Sequence, residues 1–459
     1  MSPVRLAIIL TVCFLVPVAA GAADGSLHLY LQPFPPAAAR LTFTLTSVSA
    51  VSATGAEIPL TLGLKSAAPA ELRRQRLLAS GRLPSGSYAG FVFRTGKATL
   101  KGEQGDIALA VADTPTRLDC PFTIGGRQAP IFWLTLRYED AVTDGFSFNP
   151  AFSAVAPTIP IGGYAGFVSN SASNTITVFD KHITQAAAII DACAGPAGMA
   201  IDQLRRRLYV ACPKDDEILS IDIATLTVID RARVSPGDRP REVALTPDGS
   251  TLVSVNGGSN SVSFLDAASL TRRERINVDN GPGSIAIDPS GRRAFVFNTL
   301  AGTISVVDIE SRSLAATISS DAAPIKGQFN RRGDRLYVIH ERSPFLTVLD
   351  PKQLTIVTKV RLRTGAAGIR VDSVRDLLCI SSGSDTAIDF YDPNALMPLF
   401  IMRTRAVVSH LTIDAVDNTL YMVSPSTRSL IVGRLTDRKV VSEIDVGDGP
   451  SWVAVMGER

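Results

Sequence analysis

Metal and haem centres need several histidine, cysteine or carboxylate side chains that can converge on one point. The chain has four histidines, His28, His182, His340 and His410, and no Cys-x-x-Cys-His or His-Glu-x-x-His spacing. That excludes His-rich copper clusters and argues against haem ligation. A Gly-x-Ser-x-Gly elbow and a phosphate loop are also missing. Ser381-Ser382-Gly383-Ser384 invites comparison with a nucleophile, but it falls at a loop end between strands. The residue types therefore supply no catalytic set, no metal site and no cofactor motif. The formal charge is +3 with Lys and Arg scattered, which favours neither a nucleic-acid groove nor a membrane patch.

The remaining chemistry depends on a repeating frame. The strand Leu208-Tyr209-Val210 has counterparts beginning at Gly166, Leu252, Ala294, Leu336, Leu378 and Leu420, in steps of 42, 44, 42, 42, 42 and 42. A second column holds Asp180, Asp222, Asp266, Asp308, Asp350 and Asp392, with Arg434 in the seventh copy. A third holds Pro196, Pro240, Pro282, Pro324 and Pro450, replaced by Ala366 and Val408. Apolar residues recur two apart, as at Val262 and Phe264 or Ile304 and Val306, with Ser or Thr between them. That is the period of a half-buried strand. Thr246-Pro247-Asp248-Gly249 and Asp288-Pro289-Ser290-Gly291 mark turns whose closing glycine supplies a positive φ. Four strands in about 42 residues make a propeller blade, and seven copies make a seven-bladed ring.

The pattern Pro-x-x-[Ile/Val]-Ala-[Ile/Leu]-x-Pro-x-Gly, then Leu-Tyr-Val, then a Thr/Ser-Val-x-x-Asp strand resembles the YVTN-type β-propeller repeat. The resemblance spans 164–459 and implies the fold, not an activity. Phase fixes the closure. The domain opens in a second strand at 166–169 and ends in a first strand at 451–456, so the two should pair and complete blade one. Before it, 24–156 reads as an antiparallel β-sandwich with strands near 26–31, 40–50, 86–95, 106–111, 131–138 and 147–154, and a short helix near 70–78. Leu83-Pro84-Ser85-Gly86-Ser87-Tyr88 resembles the strand start of small exported sandwich domains of the DUF4382-like group. Residues 157–163 form a Pro/Gly link. The expected fold is all-β: a sandwich, then a seven-bladed propeller closed by the C-terminal strand.

Arg5, an apolar run over 6–20 and the small residues Gly21, Ala22 and Ala23 have the order of a secretory signal peptide occupying 1–23. Val12 is too bulky to precede a lipidated Cys13. No later stretch reaches about 18 continuous apolar residues. A soluble mature protein, periplasmic or secreted, is expected. Export permits a bridge between Cys193 and Cys212, two blade positions that point to one face, and free thiols there are equally compatible with the sequence. Cys379 reads as a buried thiol and Cys120 as free.

Second-strand ends and first-strand starts share one face around the channel. The ends are Asn170, Cys212, Asn256, Asn298, His340, Ser382 and Ser424, and the recurrent Asn reads as a turn residue bonding its own backbone. The residues the ring does not need are Arg241, Glu242, Lys326, His340, His410 and Trp452. Solvated loop residues are the ordinary reading of these six. The sharper reading is a mildly basic mouth with an aromatic platform, suited to an anionic or sugar-like ligand. The leading function is then a non-enzymatic binding or scaffold protein presenting a propeller face to such a ligand or to a partner protein. The rivals are a lactonase-like hydrolase using Glu242 with His340 or His410, and a propeller subunit of an exported redox enzyme. Nucleic acid is disfavoured, because only Trp452 is placed to stack a base. A chain truncated after Gly449 is expected to lose ring closure and with it much of the domain's Tm; an unchanged Tm by calorimetry would refute this topology.

Overall fold

The computed structural model describes residues 24–125, 129–372 and 374–458; the leader reading over 1–23 lies outside them. Residues 165–455 form seven four-stranded antiparallel sheets. Blade one consists of Gln185–Asp191, Thr175–Asp180, Ala165–Asn170 and, from the other end of the chain, Pro450–Val455. The closing pair runs Gly166↔Val455, Phe167↔Ala454, Val168↔Val453 and Ser169↔Trp452, as the repeat phase requires. A buried ammonium reinforces this seam. Lys181 Nζ donates to Asp414 of blade seven and to the Met456 carbonyl at 2.6 Å.

The repeat columns have distinct physical jobs. Each conserved-slot aspartate accepts backbone N–H groups of the turn between the third and fourth strands; Asp180 bonds His182 N at 2.7 Å and Asp392 bonds Ala395 N at 2.7 Å. Those carboxylates hold turns in which a non-glycine residue adopts positive φ, for example Thr184 at 52° and Leu396 at 57°. Arg434, in the same slot of the last blade, instead pairs with Asp437 at 2.8 Å. Gly249 and Gly291 close their turns at φ 71° and 72°. The strand period was read as half-buried, but the middle strands are buried on both faces: Val262, Ser263 and Phe264 are all enclosed. Alternation there selects the neighbouring blade a side chain meets, because each sheet is packed on both sides.

The N-terminal domain is one curled, mixed twelve-stranded sheet. Two of its pairings are parallel, His28–Leu31 with Ile131–Leu134 and Ser147–Phe148 with Ala110–Val111. The antiparallel two-layer arrangement expected from sequence gives way to this curl because two strands are very long. Leu41–Ser52 and Gly86–Lys101 pair with register shifts near Phe43, Leu45 and Val51, and such bulges bend a sheet over its own core. Phe43, Phe91, Phe93, Phe148 and Phe152 fill that core. The expected helix near 70–78 is absent. A turn occupies 70–74, and Arg76–Leu83 is a strand held by Gly25–Leu31.

One outer strand differs from its counterparts. Gln185–Asp191 of blade one is almost wholly buried, whereas Thr227–Arg233 and Arg272–Asn277 in the same position are charged and open to solvent. The N-terminal domain covers it: Tyr30, Ala129, Ile131, Leu77 and Trp133 share a core with Phe179, Ala186 and Ile189. Trp133 Nε1 donates to the Ala186 carbonyl at 2.9 Å, and Ala129 forms a backbone bridge with Ile189. On the adjoining blade, Asp445 accepts from Arg74 Nη1 at 2.6 Å, Arg76 Nε at 2.9 Å and Leu77 N at 2.9 Å. Asp445→Ala leaves all three donors without this acceptor in a mostly buried site and is expected to cost about 3 kcal/mol. Chemical denaturation measures it, and an unchanged midpoint would show that the apolar contact alone joins the two domains.

Candidate functional site

The innermost strands start on the cleft face of the ring, and their pleat sets the channel lining. Glu242, Lys326, His410 and Trp452 each stand two residues after the proline slot, so they occupy one layer. Gln328 and Arg370 stand two residues deeper. Together with Gln203 and Glu458 they enclose a central cavity of about 270 Å³. At the far end the chain terminus turns inward. Gly457 N donates to Gln203 Oε1 at 3.1 Å, and Glu458 pairs with Arg370 at 2.7 Å.

Trp452 is the centre of the layer. His410 stacks on it with ring centroids 3.9 Å apart, and Lys326 Nζ lies 3.6 Å from the indole centroid. His410 Nδ1 accepts the Val453 N–H at 3.3 Å, joining blade seven to the closing strand. Burial, then the nearby Lys326 and Arg370 charges, push His410 well below its usual range. The ring is therefore neutral at pH 7, and with Nδ1 accepting, its proton is on Nε2. Burial raises the Glu242 carboxyl, against the pull of Lys326. Burial lowers the Lys326 amine; Glu242 opposes that shift and Arg370 adds to it.

Above the channel an open cleft of about 900 Å³ spreads over blades one to three and shares Trp452 with it. Its charged lining is Lys214, Arg239, Arg241 and Asp216. Asp216 is occupied by the Gly237 and Arg239 N–H groups at 2.8 and 2.7 Å. The three cations have no carboxylate within ion-pair reach among the described residues. Two glycines make room for the arginines. A Cβ on Gly257 would stand 2.5 Å from Arg241 Nε, and one on Gly258 would stand 3.0 Å from Arg239 Cδ. Cys193 and Cys212 form a disulfide with S–S 2.05 Å, and it flanks the cleft through Gly195, Pro213 and Lys214. Cys379 is buried and free, its thiol pushed up by burial; Cys120 is free and partly exposed.

Of the six residues singled out from sequence, Glu242, Lys326, His410 and Trp452 come together in the channel, and Arg241 joins them through the cleft at Trp452. His340 does not. It lies inside blade five, fully buried, with Nε2 2.9 Å from Ser320 Oγ and Nδ1 3.1 Å from the Phe345 carbonyl. Its repeat slot explains this. Asn170, Asn256 and Asn298 occupy the same slot and are not turn residues bonding their own backbone. Each points into its blade, as Asn256 Nδ2 does toward Ser261 and Ser263 at 3.0 and 2.9 Å. Arg370 and Glu458 escaped sequence reading. Arg370 had a signal, since its channel slot holds the small residues Ala200, Ala244, Ala286 and Ala454 in four other blades.

No family model and no curated protein matches this chain. Solved structures do. Hydrazine synthase from Kuenenia stuttgartiensis aligns with TM-score 0.54 at 16% identity over 61% of this chain and 96% of that one. A functionally unknown protein from Desulfotomaculum acetoxidans gives TM-score 0.57 at 15% identity over 63% and 98%. The dihydro-heme d1 dehydrogenase NirN gives 0.52 at 14% over 66% and 77%. Likeness at this identity shows the propeller fold. The disulfide closes a short loop, so Cys212→Ser with Cys193→Ser is expected to lower stability by about 3 kcal/mol; equal denaturation midpoints for the two proteins would contradict that.

Proposed function

We propose that the mature chain is an exported, YVTN-type propeller protein that binds a small anionic ligand at the cleft and channel mouth. One observation carries this reading: Lys214, Arg239 and Arg241 line the cleft that Trp452 also lines, and among the described residues none of the three has a carboxylate within ion-pair reach. Exposed cations cost little in water, but cations gathered on a concave wall beside an aromatic face attract an anion with an apolar body. The leader sequence and the Cys193–Cys212 bridge support an oxidising location such as the periplasm. The lactonase-like alternative loses support at His410, which has no free nitrogen lone pair to take a proton while Nδ1 holds Val453 N–H.

A second reading, a propeller subunit of an exported redox enzyme, draws on the likeness to hydrazine synthase and NirN and on one surface. Met397, Leu399 and Ile401 lie exposed along the outer edge of blade six, beside a groove of about 630 Å³. Such an edge suits a protein partner.

The chain has two tryptophans, so Trp133→Phe leaves Trp452 as the only indole reporter. Titration with benzoate or glucuronate is expected to give saturable quenching that weakens with salt, and glucose none. Arg239→Ala with Arg241→Ala should weaken binding about tenfold, ~1.4 kcal/mol. Equal responses to glucose and glucuronate would sink the anion reading.

A further inference from the structure

Lys326 lines the channel beside Trp452 but is not among the cleft cations Lys214, Arg239 and Arg241 that carry the anion-binding reading. Of the lysines among the described residues, it alone lines the enclosed channel cavity. No carboxylate lies within ion-pair reach of it among the described residues. Its surroundings are Glu242 and His410 in the same layer, Arg370 one layer deeper, Glu458 at the far end and the face of Trp452. Arg370 is already engaged by Glu458, so its charge stays fixed beside the amine.

We propose that Lys326 is a carbonyl-capturing amine, which forms a reversible imine with an anionic aldehyde or ketone guided in from the cleft. This rests on the anion-binding reading above and adds the chemical class of the ligand. Desolvation and a neighbouring cation are the two ordinary ways to free a lysine amine at neutral pH, and both act here, desolvation most strongly, against the opposing Glu242 and Glu458 charges. The indole face works the other way, holding the ammonium at 3.6 Å. A ligand that stacks on Trp452 takes that face from Lys326 and so releases the amine as it delivers the carbonyl.

The step balances without an oxidant. The amine lone pair attacks the carbonyl carbon, a C–N bond forms, and the C=O π pair moves to oxygen. Burial favours the protonated form of the Glu242 carboxyl. As an acid it gives that oxygen a proton, and it then takes one from nitrogen, which leaves a carbinolamine. Glu242 returns that proton to the hydroxyl, the nitrogen lone pair forms the C=N bond as the C–O bond breaks, water leaves, and the Glu242 carboxylate is left facing the protonated imine. His410 is neutral and stacked, and contributes a wall.

The test uses the full mature chain with 4-carboxybenzaldehyde, which carries both an anion and a carbonyl, followed by borohydride and peptide mass mapping. Benzoate and benzaldehyde serve as controls. Labelling of Lys326 is expected to exceed that of any other lysine by at least about tenfold, because its amine is freer at neutral pH. Excess benzoate should slow it. Lys326→Arg should abolish it while the Tm by calorimetry stays close to that of the parent chain, and Trp452→Phe should slow it. Label spread over surface lysines and unchanged by Lys326→Arg would overturn the proposal. Quenching of Trp452 by 4-carboxybenzaldehyde with no adduct at Lys326 would overturn the imine and leave anion binding standing. An adduct at Lys326 that Arg239→Ala with Arg241→Ala does not slow would support the imine and count against the cleft as the source of anion preference.

Discussion

The molecule depends on one backbone pairing, that of Pro450–Val455 with Ala165–Asn170. Without it blade one has three strands, and Ala165–Asn170 loses the strand that pairs it on its inner side. The same strand carries Trp452 into the channel and presents Val453 N–H to His410. Its trailing residues supply the Met456 carbonyl to Lys181 and the Glu458 carboxylate to Arg370. Closure and the Trp452 layer are therefore made by the same nine residues, 450–458. A ring that failed to close would lose the Trp452 layer of its channel at the same moment.

Around the channel, charge is arranged so that each cation meets a different restraint. Arg370 is held by a carboxylate, Lys326 by an aromatic face and by distance from Glu242, and the cleft arginines only by glycine-backed stems. The gradient runs from paired and buried at the far end to unpaired and open at the mouth. An anion approaching from solvent meets the least committed charges first.

Much of this was legible in the sequence because a repeat is a built-in control. Seven copies show which residues the frame needs, and the exceptions then stand out: Lys326, His410 and Trp452 depart from the repeat, and the channel brings them together. The same comparison misplaces His340, because it puts the second-strand end at the mouth, whereas His340 is buried inside blade five. Its slot is filled by asparagine in three blades, and that residue turns inward to tie the hydroxyls of the next strand. The N-terminal domain offered no such control. Its strands could be read from alternation, but the bulges in Leu41–Ser52 that decide between two layers and one curl leave no trace in alternation. The cover over blade one did leave a trace, the uninterrupted Ala186-Ala187-Ala188-Ile189-Ile190 in an outer strand whose counterparts are charged.

The Cys193–Cys212 bridge acquires a further meaning from where it falls along the chain. It is complete once the first 212 residues are available, and the N-terminal cover and three strands of blade one precede it. The fourth strand of that blade is the last to be made. A chain emerging from its N-terminus can thus fasten blade one to blade two covalently, and shield its outer face, long before the strand that completes it arrives. The growing ring waits as an open arc with one end already pinned, so the final closure joins a prepared edge and not a floating one.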